Sequence, residues 1–513
     1  MSWSLYSRLD QRFGTKTPAI RRQRDLQNRI AGFEARFETD IAFLGKPLKS
    51  DCKVVVVGAG FAGLMAGYSL SGSCNVTVLE ARDRVGGRVW TQINSSANRA
   101  IEAGAELIGY NHPTWLMLAK QFDLGLTVLT SEDAFASMDL EMPLYLDGRL
   151  VSSNEAGQIY EEMEETLSRI CTAAGELVDP YKPWEARDAN ELDTKSLSQW
   201  ILEQHCSSLT NKALEVQFAN NNGAPTSRQS YLANLAAIRG GALDGKPDDY
   251  FTQSETVKCQ QGNQALAEKL AAEIVRAGGS VSLSKPVSRV EIVADRVSIK
   301  LANGDIVEAD YVVVAIPPSL WPSSAQSEIA FDPPIPPEFQ MSMGVAVKYL
   351  SEMKSRFWFG AGLSPNSVSD SIGITWDGTD NQMQLEGQTV ELSLFAGGNA
   401  AQLAIEMFNR SGPEHLRAYY TGEIEKLYRG YSRNATSAPR FVCWPQDRWA
   451  RGGFSCPAPG EVTRIGPFLN RPFHDRMFFA GEHCCPPFFG YMEGALQSGL
   501  AVAKAISQRV GLT

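Results

Sequence analysis

An α/β fold, in which a parallel-sheet nucleotide-binding domain is interleaved with a second sheet-plus-helices domain, follows from three observations. The four valines Val54 to Val57 form a strand that is apolar on both faces, as in a parallel sheet covered by helices. They run directly into GAGFAG and an apolar helix, the strand, glycine turn and helix of a Rossmann-like unit. A second glycine-rich turn, GYMEG, follows another short apolar strand near the far end of the chain. At 513 residues the chain exceeds one ordinary core, so two domains are expected.

Composition narrows the function classes. Charged residues are 21% and hydrophobic ones 43%, which argues against extensive disorder, and a net charge of -10 leaves no footprint for nucleic acid or an anionic membrane. Small-molecule chemistry is the expectation that remains. Nine cysteines, an odd number scattered along the chain, fit reduced thiols better than a disulfide framework. MSWSLYSRLDQRFG holds no apolar run of signal-peptide type, and no stretch approaches the roughly 18 apolar residues that span a bilayer. A soluble, cytoplasmic protein is expected.

The elements follow in chain order. In residues 1–50, Leu26, Ile30, Phe33 and Phe37 recur at helical spacing beside several arginines, an arm that packs on its own chain or on a second subunit of a homo-oligomer. Lys53 to Gly67 and Asn75 to Glu80 read as strand, turn, helix and strand. Helical spacing from about Ser153 to Gln217 marks an inserted helical region, and Ala265 to Ala277 another helix. Asn303-Gly304 joins two alternating strands as a hairpin. Tyr311 to Ile316 returns to the buried sheet, and MGVAVKYLS and TVELSLFAGG begin a second one. The expected division is 51–130, 256–337 and 443–513 for nucleotide binding, with 131–255 and 338–442 as the substrate-binding domain.

In the glycine motif, Gly58 permits the tight turn, Gly60 the approach of a pyrophosphate, and Gly63 close helix packing. The helix start supplies unpaired N–H groups and positive dipole. Glu80 ends the second strand, where a carboxylate accepts ribose hydroxyls and disfavours a 2′-phosphate. In ARDRVGGRVWT, Gly86 and Gly87 allow close backbone approach, and Arg88 offers a planar donor fork to phosphate.

The segment VVVVGAGFAGL…VLEARDRVGGRVWT resembles the signature of the flavin-dependent amine oxidase family, whose cofactor is FAD. The resemblance covers roughly residues 51–510 and is weakest in the helical insert. It implies a domain of the glycine-motif FAD-binding type and FAD contacts at Gly58, Gly60, Phe61, Ala62, Gly63, Glu80, Ala81, Arg82, Gly86, Gly87, Arg88 and Val89. IEAGAELIGYNHP resembles the segment passing under the flavin ring, adding Gly104, Ala105, Glu106 and Leu107; Val287 and Trp444 are implied as further contacts. At the far end, Gly481 and Glu482 would meet the ribityl chain. Gly490, Tyr491, Met492 and Ala495 would open a helix whose positive end stabilises reduced flavin by about 0.3 to 1 kcal/mol.

The same resemblance implies that Lys348, in a strand closed by Phe357 and Trp358, holds a water beside flavin N5. Tyr491 would form one wall of an aromatic cage orienting the amine, with Phe488 nearby. In RGGFSC, Phe454 stands where membrane monoamine oxidases attach the flavin through a cysteine, so FAD is expected to be non-covalent, with Cys456 the alternative. Gly109 replaces the Glu or His of polyamine oxidases, which disfavours a polycation. Leu107 replaces an arginine of one L-amino-acid oxidase branch, which leaves Arg451 or Arg239 as the carboxylate clamp. His483, Cys484 and Cys485 lack a second ligand pair, and no metal is expected.

The expected activity is therefore oxidation of a primary amine, foremost an L-amino acid, to a 2-oxo acid, ammonia and hydrogen peroxide, with molecular oxygen as acceptor. A monoamine oxidase and a decarboxylating amino-acid monooxygenase are the near alternatives. A flavoprotein isomerase or desaturase and a silent FAD scaffold are the distant ones.

Overall fold

In the computed structural model, Lys53–Val57 is the central strand of a five-stranded sheet, flanked by Tyr311–Val314 and Asn75–Leu79 and extended by Met477–Phe479 and Ser280–Ser282. Every pairing is parallel. The structure describes residues 4–14, 50–94, 99–242, 246–321, 329–380, 382 and 388–511. The arm expected at Leu26 to Phe37 lies outside them.

The valine run is buried on both faces for the reason its composition implies. Val54 and Val56 meet the helices Phe61–Leu70, Gln264–Arg276 and Met492–Arg509, whereas Val55 and Val57 meet the strands Val287–Val293 and Arg296–Leu301. The hairpin forms at Asn303-Gly304, where Gly304 takes φ +95°. The first and last helices of this domain touch through small residues. A Cβ on Gly499 would lie 2.3 Å from the Ala62 carbonyl, so glycine lets the far-end helix reach the backbone of the nucleotide helix.

A second sheet has seven strands in the order Arg440–Cys443, Ala346–Met353, Val390–Gly397, Gly373–Asp377, Ser367–Ser369, Leu144–Leu146, Arg149–Leu150. Lys348 pairs with Phe395 on one side and Val442 on the other, in the strand next to the edge. The expected helical insert is Ser153–Gly175, Leu197–Leu202 and Ser208–Asn222, joined by Tyr231–Gly240. Gly398–Leu427, unforeseen in the sequence, is a long helix broken at Gly412 (φ +79°) and Pro413.

Leu5–Phe13 lies in the N-terminal helical arm expected over residues 1–50, ahead of the stretch where the helical spacing was read. It is a helix that buries Leu5, Leu9 and even Arg8, whose guanidinium donates to the carbonyls of Ser367 (2.9 Å) and Thr375 (3.2 Å). A short segment with three charges reads as solvated until the carbonyls that satisfy Arg8 are brought from the second sheet. Among the described residues, no helix is long and apolar enough to cross a membrane.

Candidate active site

A long cavity opens along the carboxyl ends of the parallel strands, the usual place for a ligand in such a sheet. Gly58 turns the chain at φ +105°, and a Cβ there would stand 2.7 Å from the Ala315 carbonyl. A Cβ on Gly60 would meet nothing within 4 Å, because that position faces the open cavity. Gly63 lies behind it; its Cβ would come within 2.0 Å of the Gly58 carbonyl, so it serves close packing of the helix on the turn. Glu80 accepts the backbone N–H groups of Ala59 (2.7 Å) and Arg82 (2.9 Å), which holds the second strand to both glycine loops. Arg82 is bidentate on Asp447 at 2.9 and 2.6 Å.

Midway along the cavity, Glu482 ties three segments together. Its carboxylate accepts from Arg88 (2.7 Å), from the backbone N–H of Gly490 (2.8 Å), and from the backbone N–H and hydroxyl of Ser455. Burial opposes its charge, but Arg88 and these donors outweigh that and hold it below the usual range. Its oxygens are engaged by protein donors, and it orients Arg88 and the turn before Tyr491. The neighbouring His483 lines the cavity with both ring nitrogens unpartnered, and burial lowers it to about 4, so it is neutral.

At the other end the walls are Ala346, Val347, Lys348, Phe395, Phe454 and Tyr491. The Tyr491 hydroxyl meets that of Tyr250 at 3.4 Å, and desolvation pushes its pKa well up, so it remains a neutral phenol. Behind it, His112 accepts the Gly109 N–H on Nδ1 (2.9 Å) and packs against the rings of Tyr491 and Phe488.

Of the residues expected from the sequence, the cavity gathers Phe61, Ala62, Ala81, Gly86, Gly87, Val89, Gly104, Ala105, Val287, Trp444, Gly481, Met492 and Ala495 with those named above. Six are placed elsewhere. Gly63 packs the helix. Glu106 is turned away from the cavity onto Lys348 and Lys258, and Leu107 packs against Leu129 and Trp376. Phe488 is buried with its ring against His112 and does not line the cavity. Arg239 lines a separate cleft with Tyr6, Glu164 and Asp248, and Arg451 is off both. Neither arginine is placed to clamp a substrate carboxylate. Gly109 sits against the carbonyls of Gln253 and Ser254, so its lack of a side chain reflects packing and does not bear on polycations.

Sequence reading missed Lys285, Ile316, Pro317, Phe395, Trp449 and His483 on the walls, and Lys258 behind them. The one available signal was Lys258 itself, a charge inside the short strand Val257–Cys259. Phe395 is brought in by strand register alone.

The cavity suits an extended dinucleotide. Its lining runs from a glycine turn and helix start at one end, past Arg88 and His483, to Lys348 and Tyr491 at the other. Comparison with known proteins agrees. The model of flavin-containing amine oxidoreductases matches residues 61–507. The chain is 27% identical over 471 residues to a probable flavin-containing monoamine oxidase A of Dictyostelium discoideum, covering 89% of this chain and 98% of that protein. It is 24% identical over 481 residues to flavin-containing amine oxidase B of Homo sapiens, covering 90% and 88%. Among solved structures, a redesigned putrescine oxidase superposes with a TM-score of 0.75 at 22% identity, covering 90% of this chain and 99% of that one. Cyclohexylamine oxidase from Brevibacterium oxydans gives 0.73 at 22%, covering 90% and 100%.

Proposed function

The chain belongs to the flavin-containing amine oxidoreductase family, which uses FAD, and from that premise we propose that it oxidises a primary amine with an apolar skeleton and no carboxylate. One observation carries this reading. Of the cations lining the cavity, Arg82 is held by Asp447 and Arg88 by Glu482, Lys285 lies at the exposed end near Asp305, and Lys348, held by Glu106 and the Glu102 carbonyl, keeps one N–H that this reading gives to the flavin. The narrower expectation of an L-amino acid needs a free cation for the substrate carboxylate, and Arg239 and Arg451 do not line this cavity. An unpaired carboxylate among Phe395, Phe454 and Tyr491 would pay a desolvation penalty that an amine without one avoids.

Bound FAD supplies a hydride acceptor at N5 and passes the electrons to oxygen. The protein's part is positional. The glycine turns and Arg88 hold the phosphates, and the start of the helix Met492–Arg509 faces the cavity with unpaired N–H groups and positive dipole. The aromatic walls lower the proton affinity of a bound amine by desolvation, favouring the unprotonated form that can give up hydride. FAD is held without a covalent bond on this reading. Cys456 does not line the cavity, and burial pushes its thiol up to about 12, which leaves little thiolate.

Hydrogen peroxide release over matched pairs tests the proposal, each pair being an amine and the amino acid that bears the same side chain. The amines should win by at least about tenfold in kcat/KM, with a carbonyl compound and ammonia as products. Preference for the amino acids would restore the carboxylate-binding reading, and an amide product would make the protein a monooxygenase.

A further inference from the structure

Lys348 has three N–H donors. Two are committed: one to Glu106 Oε2 at 2.7 Å, one to the carbonyl of Glu102 at 2.8 Å. The far oxygen of Glu106, Oε1, takes the ammonium of a second lysine, Lys258, at 2.5 Å and the indole N–H of Trp376 at 2.9 Å. Lys258 also donates to the Gly378 carbonyl at 3.2 Å, and the Trp376 ring centroid lies 5.5 Å from Lys348 Nζ. Glu106 is 6% exposed, Lys258 3% and Lys348 5%. Only Lys348 reaches the cavity wall. Burial would drive Glu106 toward its neutral form, but the two lysines overcome this and hold it at about 2.

The other ionisable groups around the bridge have partners of their own. The Glu102 carboxylate turns to the Thr91 hydroxyl and the Asn263 N–H, Asp380 accepts the N–H and hydroxyl of Thr130, and Asp377 pairs with Arg356. Glu391, buried and pushed up, lies further along the sheet opposite Glu352. A single lysine–carboxylate pair would present the cavity with a dipole of no net charge. The second lysine offsets Glu106, so the charge of Lys348 is felt at the wall.

We propose that Glu106 and Lys258 are positioning residues that act through Lys348: the bridge locks its ammonium in one place, leaves a single N–H for the cavity, and keeps a cation at the flavin. The proposal rests on FAD occupying this cavity. In reoxidation, oxygen takes two electrons and the N5 hydrogen of the reduced cofactor together with one solvent proton, and leaves as hydrogen peroxide; a fixed cation favours the negative charge that gathers on oxygen. A bridge that merely ties the strand Val257–Cys259 to the second sheet would do none of this.

The holoenzyme, reduced anaerobically with dithionite and mixed with oxygen, separates the two. Glu106→Gln and Lys258→Met should each slow reoxidation on the order of tenfold with FAD content unchanged. In Lys258→Met, which removes a cation, the two-electron midpoint potential should fall by about 30 mV, the equivalent of tenfold in that equilibrium; in Glu106→Gln, which removes the anion and frees the ammonium, it should not fall. Lys348→Met should be slower still, and adding either substitution to it should change nothing more. If Glu106→Gln does not fold or hold FAD, the double variant Glu106→Gln, Lys258→Met, which removes one charge of each sign and so should leave the potential near its wild-type value, is measured with the same expected slowing of reoxidation. Wild-type reoxidation rates in the single variants, a wild-type potential in Lys258→Met, or full effects persisting in the Lys348→Met background, would overturn the proposal. Because dithionite replaces the amine, the outcome stands apart from the identity of the substrate.

Discussion

His483 is a buried imidazole on the cavity wall whose two nitrogens find no protein partner, an arrangement that costs free energy unless a ligand supplies one. It follows Glu482 directly and packs its ring on Trp321, so its orientation is set by neighbours other than a ligand. His483→Leu should therefore weaken FAD binding by roughly fivefold, the worth of about 1 kcal/mol of hydrogen bond, as read from the Kd of the apoprotein titrated with FAD. Unchanged affinity would place its hydrogen-bond partner outside the cofactor. The contrast with Glu482 is instructive, since that carboxylate is saturated by protein donors and works by holding Arg88 and Gly490 in place.

Among elements, the contact between the helices Phe61–Leu70 and Met492–Arg509 decides whether the two ends of the chain form one site. Gly499 lies against the Ala62 carbonyl and the Ala66 N–H, and no methyl group fits there without moving a helix. Gly499→Ala should cost about 1 to 3 kcal/mol of stability by overpacking. It should also loosen FAD, because shifting either helix displaces its N-terminus from the cavity. The urea midpoint and FAD retention on gel filtration check this; a shift in neither would mean that the helices adjust freely.

At the scale of the whole molecule, buried ionisable groups set opposing pH limits. His112 and His483 are lowered to about 3 and about 4 by burial and stay neutral in the fold, whereas the unfolded chain takes up their protons below 6.5; stability is lost as pH falls from 6.5. Glu106 adds to this below 4.5. Glu391 acts in the other sense. Burial raises it to about 8, so the fold keeps a proton that the unfolded chain releases above 4.5, and stability is lost as pH rises toward 8. Glu102, which burial raises to about 7, acts with Glu391 and balances the two histidines, so apoprotein stability should be highest on a plateau between about 4.5 and 6.5. Glu391→Gln should stabilise the protein at pH 8 with little effect at pH 4.5, as measured by denaturant midpoints across pH, and equal effects at both would contradict the assignment.

Local patterns carried the parallel strand, both glycine turns, the hairpin, the helical insert and the two-ended cofactor site, because each depends on residues close in sequence: valines apolar on both faces, glycines where the chain turns, apolar residues at helical spacing. Lys348, Phe454 and Tyr491 were named through the family resemblance and line one cavity. Only the tertiary structure could separate Glu106 from the cavity and join it to Lys258, seat Arg239 in another cleft, bring Phe395 beside Lys348 and bury Arg8. The physical reason is that a buried charge is stable only where a partner meets it, and those partners lie on strands and loops remote in sequence, so their meeting is set by sheet register and domain packing.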